Sequence, residues 1–199
     1  EHLRQVVKAL EDLQVLRTEI TNRQEATAPL PVKSAVCQQA HQSLLETLDQ
    51  QLATLEAEMV RLAQLAAGEA FKLLKSIKGI GKVTASALIA LCGSFEDFET
   101  ASQVVAFAGL NPSPYQSGTS VRGRGGISKR GHATLRRVLY MGALTAMRFN
   151  PPCKALYQRL VAKGKSKKLA RVAVAHKLLR IAFGVVKGGC PFDPDYAKN

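Results

Sequence analysis

The chain has 199 residues, 46% of them apolar, which suffices for one ordinary core and a further helical appendage. Its formal net charge of +13 is unevenly spread: residues 1–70 hold six Lys/Arg against ten Asp/Glu, residues 71–199 twenty-two against five, and 101–190 seventeen cations with no carboxylate. No apolar stretch resembles a signal peptide or membrane span, and Cys37, Cys92, Cys153 and Cys190 lie as scattered as the histidines, so neither a disulfide framework nor a zinc site is indicated.

These features read as a soluble cytoplasmic protein, and the start at Glu1 rather than Met reads as a fragment. Solvated basic faces normally mix signs, so a carboxylate-free basic stretch points to a polyanionic partner, nucleic acid before a membrane surface or acidic protein. The same stretch cannot supply the converging carboxylates that two-metal phosphoryl transfer requires. DNA chemistry here would need a side-chain nucleophile, carboxylates from elsewhere, or both.

In chain order, Leu3, Val6, Leu10, Leu13, Leu16 and Ile20 recur at helical spacing, and the Pro-bearing stretch at 28–31 stops that helix. From about Lys33 a second pattern sets Leu45, Leu48, Leu52, Leu55, Met59, Leu62 and Ala66 alternately three and four residues apart, as in a coiled-coil seam. Residues 1–68 are therefore expected to form an antiparallel helical hairpin, a coiled-coil arm that packs on itself or joins a second protomer into a homo-oligomer. Gly68 interrupts the pattern, and residues 69–199 are expected to form a compact helical domain, giving an all-α fold.

Residues 71–91 read as helix, short turn and helix around Gly79-Ile80-Gly81, resembling a helix-hairpin-helix motif. Its glycines permit a tight turn, the amides opening the second helix can face a phosphate oxygen, and Lys78 and Lys82 add charge. Such contacts position a duplex without reading its sequence. The acidic Ser94–Glu99 segment reads as a loop and cap before a helix at 101–108. Residues 109–128 form a long Gly-, Pro- and Ser-rich loop, of the kind that carries function, and helix is expected to resume at Ser128 and continue to about Arg148. Pro151-Pro152 separate it from the next helix at 153–162. Lys165, Lys167 and Lys168 precede a final helix at 169–187; cations there oppose the helix dipole unless an anion neutralises them, so they are read as a phosphate-contacting turn.

The 109–128 loop sets hydroxyls among glycines beside Arg122, Arg124, Lys129, Arg130, Arg136 and Arg137. Guanidinium groups bind phosphate oxygens and stabilise charge developing in phosphodiester attack. Composition alone leaves Ser113, Tyr115, Ser117, Thr119, Ser120 and Ser128 open as nucleophiles, and a turn-stabilising role open for each.

The ordered strings Gly79-Ile-Gly-Lys-Val-Thr-Ala85, Ala106-Phe-Ala-Gly-Leu-Asn-Pro112, Tyr115-Gln-Ser-Gly118, Ile127-Ser-Lys-Arg-Gly131 and Leu135-Arg-Arg137 resemble the C-terminal transposase domain of the IS-one-ten family. These are bridge-RNA-guided insertion-sequence recombinases of bacteria and archaea, related to the Piv DNA invertase. The resemblance covers residues 71–196 and implies that Ser117 is the nucleophile that cleaves and rejoins DNA, with a structured guide RNA choosing the sites. It also implies an N-terminal RuvC-like domain, absent from this chain, whose Asp/Glu cluster binds Mg²⁺, so that no cofactor or metal is expected on these residues and the fragment alone is expected to be inactive. A non-catalytic helix-hairpin-helix module that only binds DNA or RNA is the alternative. Tyr115 and Tyr140, near arginines, leave a tyrosine recombinase as a further option, and a helical scaffold protein as another.

Overall fold

A computed structural model describes residues 1–27, 34–113, 116–117, 121–122, 126–128 and 130–195, with the backbone alone at 113, 116, 117, 121 and 122. The chain divides into two compact units, Glu1–Leu62 and Ala63–Asn199.

The first unit holds α1 (His2–Thr27) and the larger part of α2 (Ala35–Ser76). The Arg17 guanidinium donates to both carboxylate oxygens of Asp49, and His2 lies near enough to Glu58 to help depress its pKa, after the larger effect of Arg61, so the two helices run antiparallel. Val6, Val7 and Leu10 of α1 are buried, as are the seam residues Leu52 and Met59 of α2. The periodicity thus has a use within this chain, while Val15, Leu16, Val36 and Leu44 stay exposed. Helical geometry fails at Ala67 (φ −154°, ψ 61°), one residue before the glycine that interrupts the seam.

The second unit continues α2 to Ser76 and adds α3 (Lys82–Cys92), α4 (Ala101–Ala108), α5 (Ala133–Phe149), α6 (Pro151–Ala162) and α7 (Lys167–Gly188). Helix α5 is central: α3, α4, α6 and α7 all touch it, and α7 also packs on α4 and α6. Leu74, Ile77, Leu88, Val104, Leu135, Leu139, Val174 and Leu178 make the core. Local chemistry sets the helix starts. Thr100 and Gln103 form a reciprocal capping box for α4; Asn150 caps α6, whose first residues are Pro151 and Pro152; Ser166 caps α7.

The architecture is all-α with one departure in the 109–128 loop. Two-residue strands β1 (Pro112–Ser113) and β4 (Gly126–Ile127) pair antiparallel, and inside them β2 (Gln116–Ser117) pairs with β3 (Val121–Arg122). The loop is therefore a β-hairpin in two short steps. Helix α5 begins five residues later than the periodicity suggests, because Ser128 still bonds across the hairpin to Asn111 and Gly131 adopts φ +148°. At α7 the correction runs the other way: Lys167 and Lys168 lie in its first turn. The thiols of Cys92 and Cys153 are buried and those of Cys37 and Cys190 exposed.

Candidate nucleic-acid interface

The hairpin leaves the helical core through a narrow neck. Gly109 ends α4 in the left-handed conformation (φ +70°), and Gly131 precedes α5. A Cβ on Gly131 would stand 2.7 Å from the Gly109 amide nitrogen, and one on Gly109 would stand 3.0 Å from the Arg130 carbonyl, so the two backbone segments touch where they cross. The His132 amide donates to Phe107 O at 3.0 Å and the Ser128 amide to Asn111 O at 2.9 Å. Arg136 closes the neck from α5, with Nη1 donating to Ala108 O at 3.0 Å and Gly131 O at 2.9 Å. A chain of ring contacts, Phe183 to Phe95, Phe98, Phe107 and His132, ties the neck to the core.

Ser117 occupies the last paired position of β2, opposite Val121, and Gln116 is opposite Arg122. Ser117 and Arg122 therefore lie on adjacent rungs of one ladder, not directly opposite each other. Arg124 and Lys129, with Tyr115, Thr119 and Ser120, lie outside the described residues. Below the hairpin, Arg136, Arg137 and Lys168 line one depression of about 410 Å³ together with Leu110, Ile127 and Tyr140. Lys168 of the lysine turn therefore joins the two arginines of α5. Arg130 lines a second depression of about 370 Å³ beside Phe107 and His132, while Lys165 and Lys167 are exposed.

The turn between α2 and α3 stands apart. Gly79 (φ +109°) packs on α5: a Cβ there would lie 2.6 Å from that of Ala146, and one on Gly142 would lie 2.6 Å from Gly79 O. Its glycine character answers first to helix packing rather than to phosphate. Gly81 is the reverse case, with open space where a Cβ would stand, and it precedes the first-turn amides of α3 with no side-chain cap. Lys78 and Lys82 are exposed on either side. Ten residues of α5 separate Arg136 from Ala146, a rise of about 15 Å, so turn and hairpin neck are two patches rather than one.

Two residues that the sequence did not single out organise these patches. Asn150, fully buried, donates from Nδ2 to Lys78 O at 3.1 Å and accepts the Cys153 amide at 3.3 Å, fastening the turn to the α5–α6 junction; the string Asn-Pro-Pro, a cap followed by prolines, is the signal that could have found it. Arg171 lies against Tyr140 and Tyr157; a hydrogen bond to Tyr140 foremost holds its pKa above the ordinary arginine value. Among the described residues no three His, Cys, Asp or Glu approach closely enough to hold a metal ion. No helix among them is long and apolar enough to cross a membrane.

Comparison with known proteins gives the interface its context. Residues 71–158 match the Transposase IS116/IS110/IS902 family. The matched residues run from the end of α2 through both patches into α6. The chain is 35% identical over 122 residues to the pilin gene-inverting protein of Moraxella lacunata, covering 61% of this chain and 38% of that one. It is 30% identical over 147 residues to an insertion element IS110 protein of Streptomyces coelicolor (74% and 36%) and 30% over 169 residues to a probable family 20 transposase of Pseudomonas aeruginosa (81% and 48%). The chain thus spans less than half the length of these relatives.

Proposed function

We propose that this chain is the DNA-joining part of an insertion-sequence transposase or DNA invertase, with Ser117 as the nucleophile. The observation that carries the reading is the position of Ser117 at the head of a hairpin whose neck is clamped into a cation-lined face. The match of residues 71–158 to a transposase family supports it. In the proposed step, Ser117 Oγ attacks a DNA phosphorus, a new P–O bond forms to serine, the bond to one sugar oxygen breaks, and that oxygen leaves with a proton. A sugar hydroxyl of the exchanged strand then displaces the serine, so joining needs no net hydrolysis. Arg122, Arg124, Lys129, Arg130, Arg136, Arg137 and Lys168 hold phosphate oxygens; Lys78, Gly79, Gly81, Lys82, Lys165 and Lys167 make further backbone contacts. Arg136 combines this with its structural duty at the neck.

The same reading includes a guide RNA that selects the DNA sites, homo-oligomerisation through the arm, and a Mg²⁺-binding RuvC-like domain elsewhere in the full-length protein. The test is a comparison of wild type with Ser117→Ala in that protein, scoring recombination of element DNA, nucleic-acid binding, and a covalent protein–DNA adduct mapped by mass spectrometry. Loss of recombination and adduct with binding retained is the expected result. Retained recombination, or an adduct on Tyr115 or Tyr140, overturns the assignment of Ser117. Binding with no recombination by the wild-type protein favours a non-catalytic binding module.

A further inference from the structure

We propose that the groove between the hairpin base, α6 and α7 seats an unpaired DNA strand, an inference that rests on the reading of this chain as a DNA-handling domain. The groove measures about 1040 Å³, at the upper end of the roughly 300–1,000 Å³ typical of small-ligand pockets, which suits an extended polymer better than a compact molecule. Its floor is apolar: Leu156 and Leu160 of α6 face Val172 and Ile181 of α7, and Ile127 closes it at the hairpin. Arg159, Lys177 and Arg180 add three cations, and no carboxylate is among the described residues that line it. None of these cations belongs to the two patches described above.

An apolar floor beside cations selects among polyanions. A duplex presents phosphates outward and hides its base faces in the stack, so it can use the cations and leave the floor bare. An unpaired strand offers base faces to apolar side chains or guanidinium planes while its phosphates meet the cations. Burial first, and Arg180 second, lower the pKa of His176 and so favour its uncharged ring in the groove. Among the described lining residues none is Ser, Thr, Asn or Gln, the side chains that would read a ribose 2′-hydroxyl, and the strand proposed is therefore DNA. Pro112 and Gly126 border the groove, so a strand lying in it runs to the foot of the hairpin that carries Ser117. Strand exchange passes through unpaired ends, and this groove is where such an end is kept in place.

The test measures binding of the 199-residue chain to a labelled single-stranded DNA, the duplex and the RNA of the same sequence by fluorescence anisotropy at low salt, where phosphate contacts are strongest. Two variants probe the groove: R159A/R180A removes two exposed cations, and Ala173→Trp fills the cleft without changing charge. Each is expected to weaken single-stranded DNA binding about tenfold and duplex binding less than about threefold, while wild type prefers DNA to RNA. Retained duplex binding and an unchanged thermal melt report an intact fold. Equal weakening of strand and duplex, no effect of Ala173→Trp, or RNA bound as tightly as DNA overturns the groove assignment while leaving the proposed function standing. A wild-type chain that binds none of the three sinks both.

Discussion

The turn between α2 and α3 and the hairpin between α4 and α5 are both glycine-bearing connections in the basic unit, yet they are held in opposite ways. The turn is pressed into the core, with Gly79 against Ala146 and Gly142, and Asn150 bonded to Lys78 O. The hairpin touches the core at its neck, where Arg136 and two crossing glycines hold it, and its own ladders are two residues long. The turn's geometry is inseparable from core packing, while the described part of the hairpin is fastened to the core at its neck. Damage to the turn should therefore be read in stability, and damage to the hairpin in function.

The largest expected effect breaks the comparison at the turn. Gly79→Val forces a branched side chain into Ala146 at a positive φ, and overpacking plus backbone strain should destabilise the fold by about 3–5 kcal/mol. Urea denaturation measures this, and a loss below about 0.5 kcal/mol would mean that the turn is not locked. Asn150→Ala comes next. It strips the cap of α6 and orphans Lys78 O, for an expected loss of about 2 kcal/mol.

Arg136→Ala sharpens the contrast from the other side. Stability should fall by about 1 kcal/mol, but the Ser128 amide, bonded to Asn111 O across the hairpin, should exchange with solvent about tenfold faster while core amides such as that of Leu139 keep their protection. Equal acceleration at both amides would show that the hairpin and core open together. A further effect is confined to alkaline pH. Burial pushes the Cys153 thiol up to about 11 from 9.0, and its amide bonds to Asn150. Folding favours its neutral form, so the stability it contributes is fully present below pH 9.0 and is lost as pH rises through about 11. Cys153→Ala should flatten that limb of the stability–pH profile; an unchanged limb assigns it to other groups.

Much of this organisation is legible in the sequence where periodicity is long. The leucine steps from Leu45 to Met59 mark a seam that α2 possesses, and the caps and prolines around residues 100 and 150 mark real helix ends. Strands of two residues are too short to show a period, so the hairpin reads only as a loop, and Ser128 with its neighbours reads as helix because nothing local announces a bond to Asn111. Charge also misleads by being readable in two ways. Arg136 satisfies a phosphate pattern in sequence and two carbonyls in space, and Gly79 satisfies a phosphate-turn pattern while its bare Cα answers to Gly142 and Ala146 of α5. The apolar groove joins residues from 110 to 181, a combination that only the fold assembles.

The crossed glycines at the hairpin neck carry a consequence for how such a protein diversifies. Side chains are barred at 109 and 131, while the ladder between them hangs from the core by backbone bonds and one guanidinium. The join between hairpin and helices is therefore set by Gly109, Gly131 and Arg136. Those three positions act as a fixed chuck, so a transplanted hairpin that preserves both glycines and Arg136 is expected to seat on this scaffold.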